Sequence, residues 1–329
     1  MSTRAAAASE AHVARAARDA LVEHNAVDAL VTAVLVAAAE SPSVLLGPLQ
    51  VLVGGAGAGL LAFDGRVRQP GLGVPRPRGV VAGGAVPPQA RVGVPALPAA
   101  LAATLAALGS ISMRRACGPA IERARALSGE RAATLEAVSR RAAAAMTDEA
   151  VAVELTSVAG RAAGGTLTRE DLARLRPGVE PCKAAGDDGI VRVPWQAERA
   201  DGSAVHVVAA TDPRGLVAIA CYEAPLDGLA VPGLGLVAPA FAAPVMRGET
   251  RVPPGEACAA TAPIALRARR GLVDLALGVA TCGDPEAALR AIVAQLDETT
   301  PIGESLRVDS GRAVALARTR DAAVTVASA

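Results

Sequence analysis

Aromatic residues and lysine are scarce in this chain of 329 residues. It has one Trp, one Tyr and two Phe, and Lys183 is its only lysine, so arginine carries nearly all the positive charge. The formal net charge is +1. The chain therefore has neither a set of aromatic rings for base stacking nor a basic stripe for phosphates. We expect no nucleic-acid partner, and a core made of Ala, Val, Leu and Ile.

Cysteine and histidine are also few and scattered. The five cysteines form no Cys-x-x-Cys pair, and the three histidines do not group with them. This spacing predicts no metal site, and an odd number of scattered thiols is typical of a reducing compartment. Residues 1–10 lack the apolar run of an export signal. We expect a cytoplasmic protein without metal or cofactor, in which Cys282, beside a predicted helix start, is structural like the other thiols.

Long uninterrupted apolar runs are missing as well. Residues 29–39 are too few for the roughly 20 that a membrane helix needs. Residues 43–63 are long enough, but Pro48 and the glycine run 54–59 interrupt them. The pattern predicts a buried β-hairpin of residues 51–53 and 60–63, and no membrane span. The glycine run also lacks the helix and downstream acid of a dinucleotide-binding loop.

The pattern of apolar and polar residues changes near residue 180. The first part, residues 1–180, is rich in helical patterns, and the second part, residues 181–297, is rich in short β-patterns that end in a helix. This order predicts an α+β domain over residues 1–297 in which helices cover stacked sheets. Residues 298–329 are expected to form a C-terminal extension with one hairpin, residues 305–308 and 313–317. The predicted helices are 5–23, 27–39, 97–108, 116–127, 130–146 and 285–296.

Several segments occur in the order found in one enzyme family. The most specific is Asn25-Ala26-Val27-Asp28-Ala29, and Asp64-Gly65-Arg66-Val67-Arg68-Gln69-Pro70 is the next. Weaker landmarks are Ser9-Glu10-Ala11, Val92-Gly93-Val94-Pro95, Gly118-Pro119-Ala120-Ile121-Glu122, Val231-Pro232-Gly233-Leu234-Gly235 and Ala262-Pro263. Over about residues 5–125 and 200–297 the chain resembles the γ-glutamyltransferases, also called γ-glutamyltranspeptidases, which are N-terminal-nucleophile (Ntn) hydrolases.

The resemblance implies a four-layer αββα sandwich and the chemistry of glutathione metabolism. In that family a precursor cleaves itself and frees a threonine, whose hydroxyl attacks a γ-glutamyl amide with its own amine as base. Two backbone N–H groups of a Gly-Gly turn stabilise the oxyanion, and an arginine holds the substrate carboxylate. Arg66 occupies the position of that arginine.

Most other positions depart from the family pattern. The nucleophile position holds Ala204, and the next family threonine is Val205. The paired serines are replaced by Ala259 and Ala260, and the Gly-Gly turn by Thr281-Cys282. The family's Asn-Asn-Glu segment becomes Pro239-Ala240-Phe241, and its glycine run becomes residues 45–50. Loss of a nucleophile costs on the order of 10⁶ in rate, and loss of one oxyanion donor about 10²–10³.

Three functions remain open. The first is a shortened, degenerate γ-glutamyltransferase-like scaffold without catalysis, which binds a ligand, a protein partner or a second copy of itself. The second is an active Ntn amidase or transferase that cleaves itself before Ser203, although Asp201-Gly202-Ser203 also has the pattern of an ordinary turn. The third is a binder of a γ-glutamyl or other carboxylate through Arg66. His206, in an apolar strand, is interpreted as a core histidine.

Overall fold

Two antiparallel sheets are stacked face to face, and helices cover their outer faces. This computed structural model describes residues 4–184, 189–195, 204–269, 272–280, 283–295, 312–318 and 323–327. The first sheet has the strand order β1-β6-β7-β2-β3-β4. Its strands are β1 (Ala5–Ala8), β2 (Leu49–Gly54), β3 (Leu60–Gly65), β4 (Gly178–Pro181), β6 (Val205–Thr211) and β7 (Val217–Glu223).

The second sheet has the order β13-β12-β11-β10-β5. It consists of β5 (Ile190–Val191), β10 (Ile264–Arg269), β11 (Leu272–Ala280), β12 (Arg312–Arg318) and β13 (Ala323–Ala327). A separate two-stranded ribbon joins β8 (Leu229–Val231) to β9 (Leu236–Ala238). The segment that the sequence analysis treats as an extension therefore contributes β12 and β13 to the second sheet, and residues 305–308 lie outside the described residues.

The structure describes eight α-helices, seven of them before β4 and one between β11 and β12. They are α1 (Ala11–Leu21), α2 (Ala26–Glu40), α3 (Leu97–Leu108), α4 (Met113–Arg125), α5 (Gly129–Arg141), α6 (Glu149–Ala159), α7 (Arg169–Arg174) and α8 (Pro285–Gln295). Residues 70–96 run between β3 and α3, and their only helical turn is the 3₁₀ segment Pro88–Arg91. Among the described residues, no helix combines the length and the apolar content that crossing a bilayer demands.

Three apolar layers separate the four layers of secondary structure. Between the sheets, Leu52 and Val207 of the first sheet pack with Ile264 and Ala276 of the second. On the other face of the first sheet, side chains such as Phe63 pack against the helices around α2. The third apolar layer joins α8 to the outer face of the second sheet. Side chains alternate between the two faces of each strand, so each sheet contributes to the apolar layers on both of its faces. The predicted αββα sandwich is confirmed.

The sequence predicts β2 and β3 correctly as a buried hairpin, but not β1. The two strands of the hairpin pair from Leu49–Gly65 to Gly54–Leu60. At its turn, Gly55 has a φ of 90°, and a Cβ there would lie 2.1 Å from the carbonyl oxygen of Gly215, which requires glycine. The prediction of one helix over residues 5–23 is wrong at its start, because Ala5–Ala8 pairs with β6. Pairing with β6 overrides the helix propensity of alanine, which is the highest of any residue but amounts to little over four residues.

The start of α2 is held by a reciprocal cap and by hydrogen bonds to the loop after α3. Asn25 accepts a hydrogen bond from the Asp28 N–H at 2.9 Å, and the Asp28 carboxylate accepts one from the Asn25 N–H at 3.2 Å. This reciprocal cap satisfies two free helix donors. Asp28 is completely buried and also accepts hydrogen bonds from the N–H groups of Ser110 at 2.8 Å and Ile111 at 3.3 Å. The Asn-Ala-Val-Asp-Ala segment therefore ties α2 to the loop after α3.

His206 lies on the helix side of the first sheet. Its ring stacks on Tyr222 with 5.4 Å between centroids, and its Nδ1 is 3.5 Å from the Glu10 carboxylate. Glu10 also accepts a hydrogen bond from the Tyr222 hydroxyl at 2.7 Å. Burial lowers the pKa of His206, against the opposing effect of Glu10, and His12 and Arg312 lower it further. The neutral imidazole is therefore the folded form, as expected for a core histidine.

Replacing Asp28 with Asn tests the anchor of α2. In Asp28→Asn one carboxylate oxygen becomes an NH₂ group that faces backbone or hydroxyl donors, so we expect a loss of about 2–3 kcal/mol in the free energy of unfolding. The measurement is denaturant unfolding. Glu136→Gln, which breaks the exposed pair with Arg125, is the control and should cost less than about 0.5 kcal/mol. Equal effects of the two substitutions would contradict the role of Asp28.

The pH dependence of stability tests the burial of His206. Because its folded pKa lies below its unfolded pKa, the unfolded chain takes up the proton first as the pH falls. Stability should therefore decrease as the pH falls through about 6.5. The variant His206→Phe keeps a ring against Tyr222 and should lose less stability between about pH 7 and pH 5. Parallel curves for both proteins in urea unfolding would show that His206 is protonated equally in both states.

Candidate functional site

The candidate site surrounds the start of β6. Ala204 forms the turn immediately before β6, and its carbonyl accepts a hydrogen bond from the Ala224 N–H at 2.8 Å. Val205 then pairs with Glu223 of β7. The position at which the family resemblance places the nucleophile thus begins a central strand, and its side chain is a methyl group. Ser203, with Asp201 and Gly202, lies outside the described residues.

Buried polar groups form the floor of this site. Glu223 accepts a hydrogen bond from the Thr261 N–H at 3.0 Å. Gln50 donates to the Thr261 carbonyl at 2.8 Å and accepts from the Trp195 indole N–H at 2.6 Å. Glu223 and Gln50 are 3% and 1% exposed, so these bonds replace water. The Thr261 hydroxyl is buried, and it has no hydrogen-bond partner in the described part of the chain.

Cys221 lies beside this floor but is not set up as a nucleophile. Its Sγ is 3.6 Å from the Thr261 carbonyl oxygen, and its side chain is fully buried. Burial raises its pKa well above the ordinary value, and the nearby Glu286 and Glu223 carboxylates raise it further. The thiol therefore stays protonated near neutral pH, whereas reactive cysteines need the thiolate.

The other described cysteines are equally unreactive. Burial raises the pKa of Cys117 and Cys258 to about 12 and that of Cys182 to about 11. All four described cysteines are free thiols. The prediction that the thiols are structural is supported for these four, and Cys282, together with Thr281, lies outside the described residues.

One wall of the site comes from the second sheet and α8. Glu286, in the first turn of α8, accepts a hydrogen bond from the Ala262 N–H at 3.1 Å and lies 3.3 Å from Arg192. Burial raises the pKa of Glu286, and Arg192 opposes that shift. This carboxyl group is held by a backbone donor and a cation, so its two oxygens are oriented within the site.

Arg66 directly follows β3 and already holds a carboxylate of the chain itself. Its Nε and Nη2 donate to the two oxygens of Asp64 at 3.0 and 2.9 Å, and its backbone N–H donates to the same group at 2.9 Å. Arg68 donates to Asp64 at 2.9 Å as well. The guanidinium of Arg66 stacks over Trp195 at 5.2 Å from the ring centroid. The carboxylate-binding candidate is thus oriented by a bidentate pair and an aromatic ring.

A cleft of about 300 Å³ opens beside this arginine pair. Arg68, Arg174 and Arg176 line it, with Gly178 of β4 and Gly255. Arg174 pairs with Glu170, and the cleft's carboxylate, Asp171, is occupied by the N–H groups of Gly71 and Leu72 and by Thr168. With Asp64, Glu170 and Asp171 beside them, the three arginines of the lining are balanced by three carboxylates.

Among the remaining described positions taken from the family order, Gln50 brings a polar side chain to the site, and the alanine, leucine and phenylalanine positions do not. Ala260 is buried and Ala259 is exposed. Phe241 packs on Val67, Ala242 and Cys258. Leu45 and Leu46 belong to the buried 3₁₀ turn Val44–Leu46. No group of three or more His, Cys, Asp or Glu that would suit a metal ion occurs among the residues that the structure describes.

Sequence reasoning identified Ala204 and Arg66 but missed five polar residues of the site. They are Gln50, Arg192, Trp195, Glu223 and Glu286. Two of them had a visible signal, because Gln50 and Glu223 each interrupt or end an otherwise apolar strand pattern. A polar residue in such a run must find a buried partner, but the partner lies far along the chain: Thr261 follows Gln50 by 211 positions.

Solved structures share this architecture along the whole chain. Cephalosporin acylase from Bacillus halodurans matches with a TM-score of 0.75 and 14% identity, over 99% of this chain and 94% of that one. LmbA2991HD matches with a TM-score of 0.70 and 12% identity, over 100% and 97% of the two chains. A γ-glutamyltranspeptidase from Pseudomonas nitroreducens complexed with L-DON gives a TM-score of 0.44 and 18% identity, over 68% and 71%.

The likeness lies in the fold. No protein-family model and no curated protein matches the chain by sequence. At identities of 14% and 12% the superpositions establish a common architecture and leave the reaction open. The chain has the Ntn-hydrolase fold, with stacked antiparallel sheets between helices, as the family resemblance predicts.

Proposed function

We propose that this chain is an Ntn-hydrolase scaffold that has lost its nucleophile and acts by binding instead of catalysis. The observation that carries the proposal is Ala204 at the head of β6, where the fold would place the attacking hydroxyl. A methyl group cannot attack a carbonyl. The free thiols of the described residues are in keeping with a reducing, cytoplasmic setting.

The neighbouring side chains do not supply a substitute in the part of the site that is described. The buried Cys221 thiol stays protonated, and the Thr261 hydroxyl has no described hydrogen-bond partner that would act as its base. Glu223 and Gln50 hold the backbone of Thr261 rather than its hydroxyl. These bonds stabilise the end of the sandwich without preparing a reaction there.

The proposed ligand is a γ-glutamyl compound or another small carboxylate. Arg66 and Arg68 both donate to the carboxylate of Asp64. A ligand carboxylate that enters beside them would meet donors that are already oriented. The cleft beside Arg68 provides room for a small ligand. A protein partner or a second copy of the chain is compatible with such a binding role.

A competing function is an active Ntn amidase or transferase that uses Ser203 after self-cleavage. The observation that favours it is the position of Ser203, one residue before the turn at Ala204 that leads into β6. Against it stands the alternation of side chains along a strand, which sends neighbouring residues to opposite faces. The two functions differ in whether Ser203 matters for turnover.

Arg66→Ala tests the binding function. We expect γ-L-glutamylglycine to raise the melting temperature of the wild type and to leave that of Arg66→Ala unchanged, because the bidentate donor is lost. Arg267→Ala is the matched control, since it removes another arginine from a bidentate pair, with Asp274, on β10. It should keep the ligand-induced shift. An equal shift in Arg66→Ala would eliminate Arg66 as the ligand-binding residue.

Turnover of γ-L-glutamyl-p-nitroanilide tests the catalytic alternative. We expect the wild type and Ser203→Ala to release p-nitroaniline at the same background rate, because neither carries a nucleophile at the head of β6. Absorbance of the released amine is the measurement. Release by the wild type that falls by several orders of magnitude in Ser203→Ala would establish Ser203 as the nucleophile instead.

A further inference from the structure

A second cleft lies among the helices α1, α2 and α4. Its volume is about 510 Å³, which is within the range of small-molecule sites. Side chains spaced by four residues on α1, on α2 and on α4 form its three walls. Residues at this spacing lie on one face of a helix, so each helix presents a continuous row to the cleft.

Thr32 of α2 lines the wall of this cleft. The residue is 4% exposed, and its hydroxyl makes no hydrogen bond among the described residues. Other helical threonines behave differently. Thr104, Thr134 and Thr156 donate to the carbonyl four residues earlier, at 2.8, 3.0 and 2.7 Å. The Thr32 hydroxyl can therefore donate to and accept from a ligand in the cleft.

His12 adds an imidazole to the same cleft. Its ring lines the wall that α1 provides, and its Nε2 is buried without a hydrogen-bond partner in the part of the chain that is described. Because this Nε2 is buried, the polar group that a ligand would meet in the wall is the Thr32 hydroxyl. The deep part of the cleft therefore suits a ligand group that donates and accepts hydrogen bonds, such as an amide.

The rim of the cleft carries charges of both signs. Arg115 and Arg123 of α4 pair with Glu23 and Glu40, with 2.9 Å between Arg115 and Glu23. They are eight residues apart on the helix, or about 12 Å, so the two ion pairs flank the opening.

Two further charges at the rim are not used inside the molecule. Arg15 and Asp19 lie four residues apart on α1 and line the cleft. Neither makes a side-chain hydrogen bond or ion pair within the described ranges. An arginine and a carboxylate at this spacing match a ligand that carries a carboxylate and an ammonium group close together.

We propose that this cleft binds a zwitterionic amino acid or dipeptide with a hydrogen-bonding side chain. The ligand carboxylate pairs with Arg15, its ammonium group pairs with Asp19, and its side chain reaches the Thr32 hydroxyl. The apolar parts of Ala16, Val36 and Ile111 cover the ligand's carbon atoms. This site is separate from Arg66 and does not depend on the function proposed for the head of β6.

Calorimetric titration with L-alanyl-L-glutamine tests the proposal. The wild type should bind it, and Thr32→Val, which keeps the shape of the side chain, should bind it about tenfold more weakly through loss of one hydrogen bond to the ligand. Thr104→Val is the matched control, because it removes a buried hydroxyl from α3 outside the cleft, and it should bind as the wild type does. Arg66→Ala should also bind normally.

Two further measurements test whether the loss of binding comes from the Thr32 hydroxyl and from the charges of the ligand. Thr32→Val should keep the melting temperature of the ligand-free wild type, whereas Thr104→Val should lower it, because only Thr104 loses an internal hydrogen bond. An N-acetylated and C-amidated form of the dipeptide lacks both charges and should bind at least about tenfold more weakly. The proposal is overturned if the wild type does not bind the free dipeptide, if Thr32→Val binds it equally well, or if only Arg66→Ala weakens binding.

Discussion

Buried polar groups at the end of the sheet sandwich must find partners inside the protein, and this constraint shapes the whole site. Water is excluded there by the apolar layer between the sheets. Glu223 and Gln50 satisfy it through the backbone of Thr261, and Asp64 satisfies it through Arg66 and Arg68. Removing one member would leave a buried charge or amide without a partner, which costs more than the bond itself contributes. The site is therefore rigid before any ligand arrives.

The fold does not depend on the side chain at position 204. The register of β6 is set by β1 on one side and β7 on the other, and neither pairing involves the side chain of Ala204. Loss of a hydroxyl at that position therefore costs the fold little. The stability of the sandwich comes from its apolar layers and its closed polar networks, and the proposed binding function uses groups that the fold needs in any case.

Sequence reasoning predicted the features that are encoded locally or in segment order. The Asn-Ala-Val-Asp-Ala segment indicated α2 because its cap lies within four residues, and the glycine run indicated the β2–β3 turn. The helix predicted from Ala5 was wrong because four alanines fit either state, and pairing with β6, about 200 residues away, decides between them. The buried roles of Gln50 and Glu223 were also missed because they depend on residues far along the chain. Their partners are set by the stacking of the two sheets. Arg66 was found by segment order, but its bidentate pair with Asp64 required the structure.

The most direct test of the central claim is the mass of the purified, intact chain. If the head of β6 has no working nucleophile, the protein stays uncut, and mass spectrometry under denaturing conditions gives one species at 32.7 kDa. Two fragments that meet at the bond between Gly202 and Ser203 would contradict the account, because they would show that the chain still frees an N-terminal hydroxyl residue by self-cleavage.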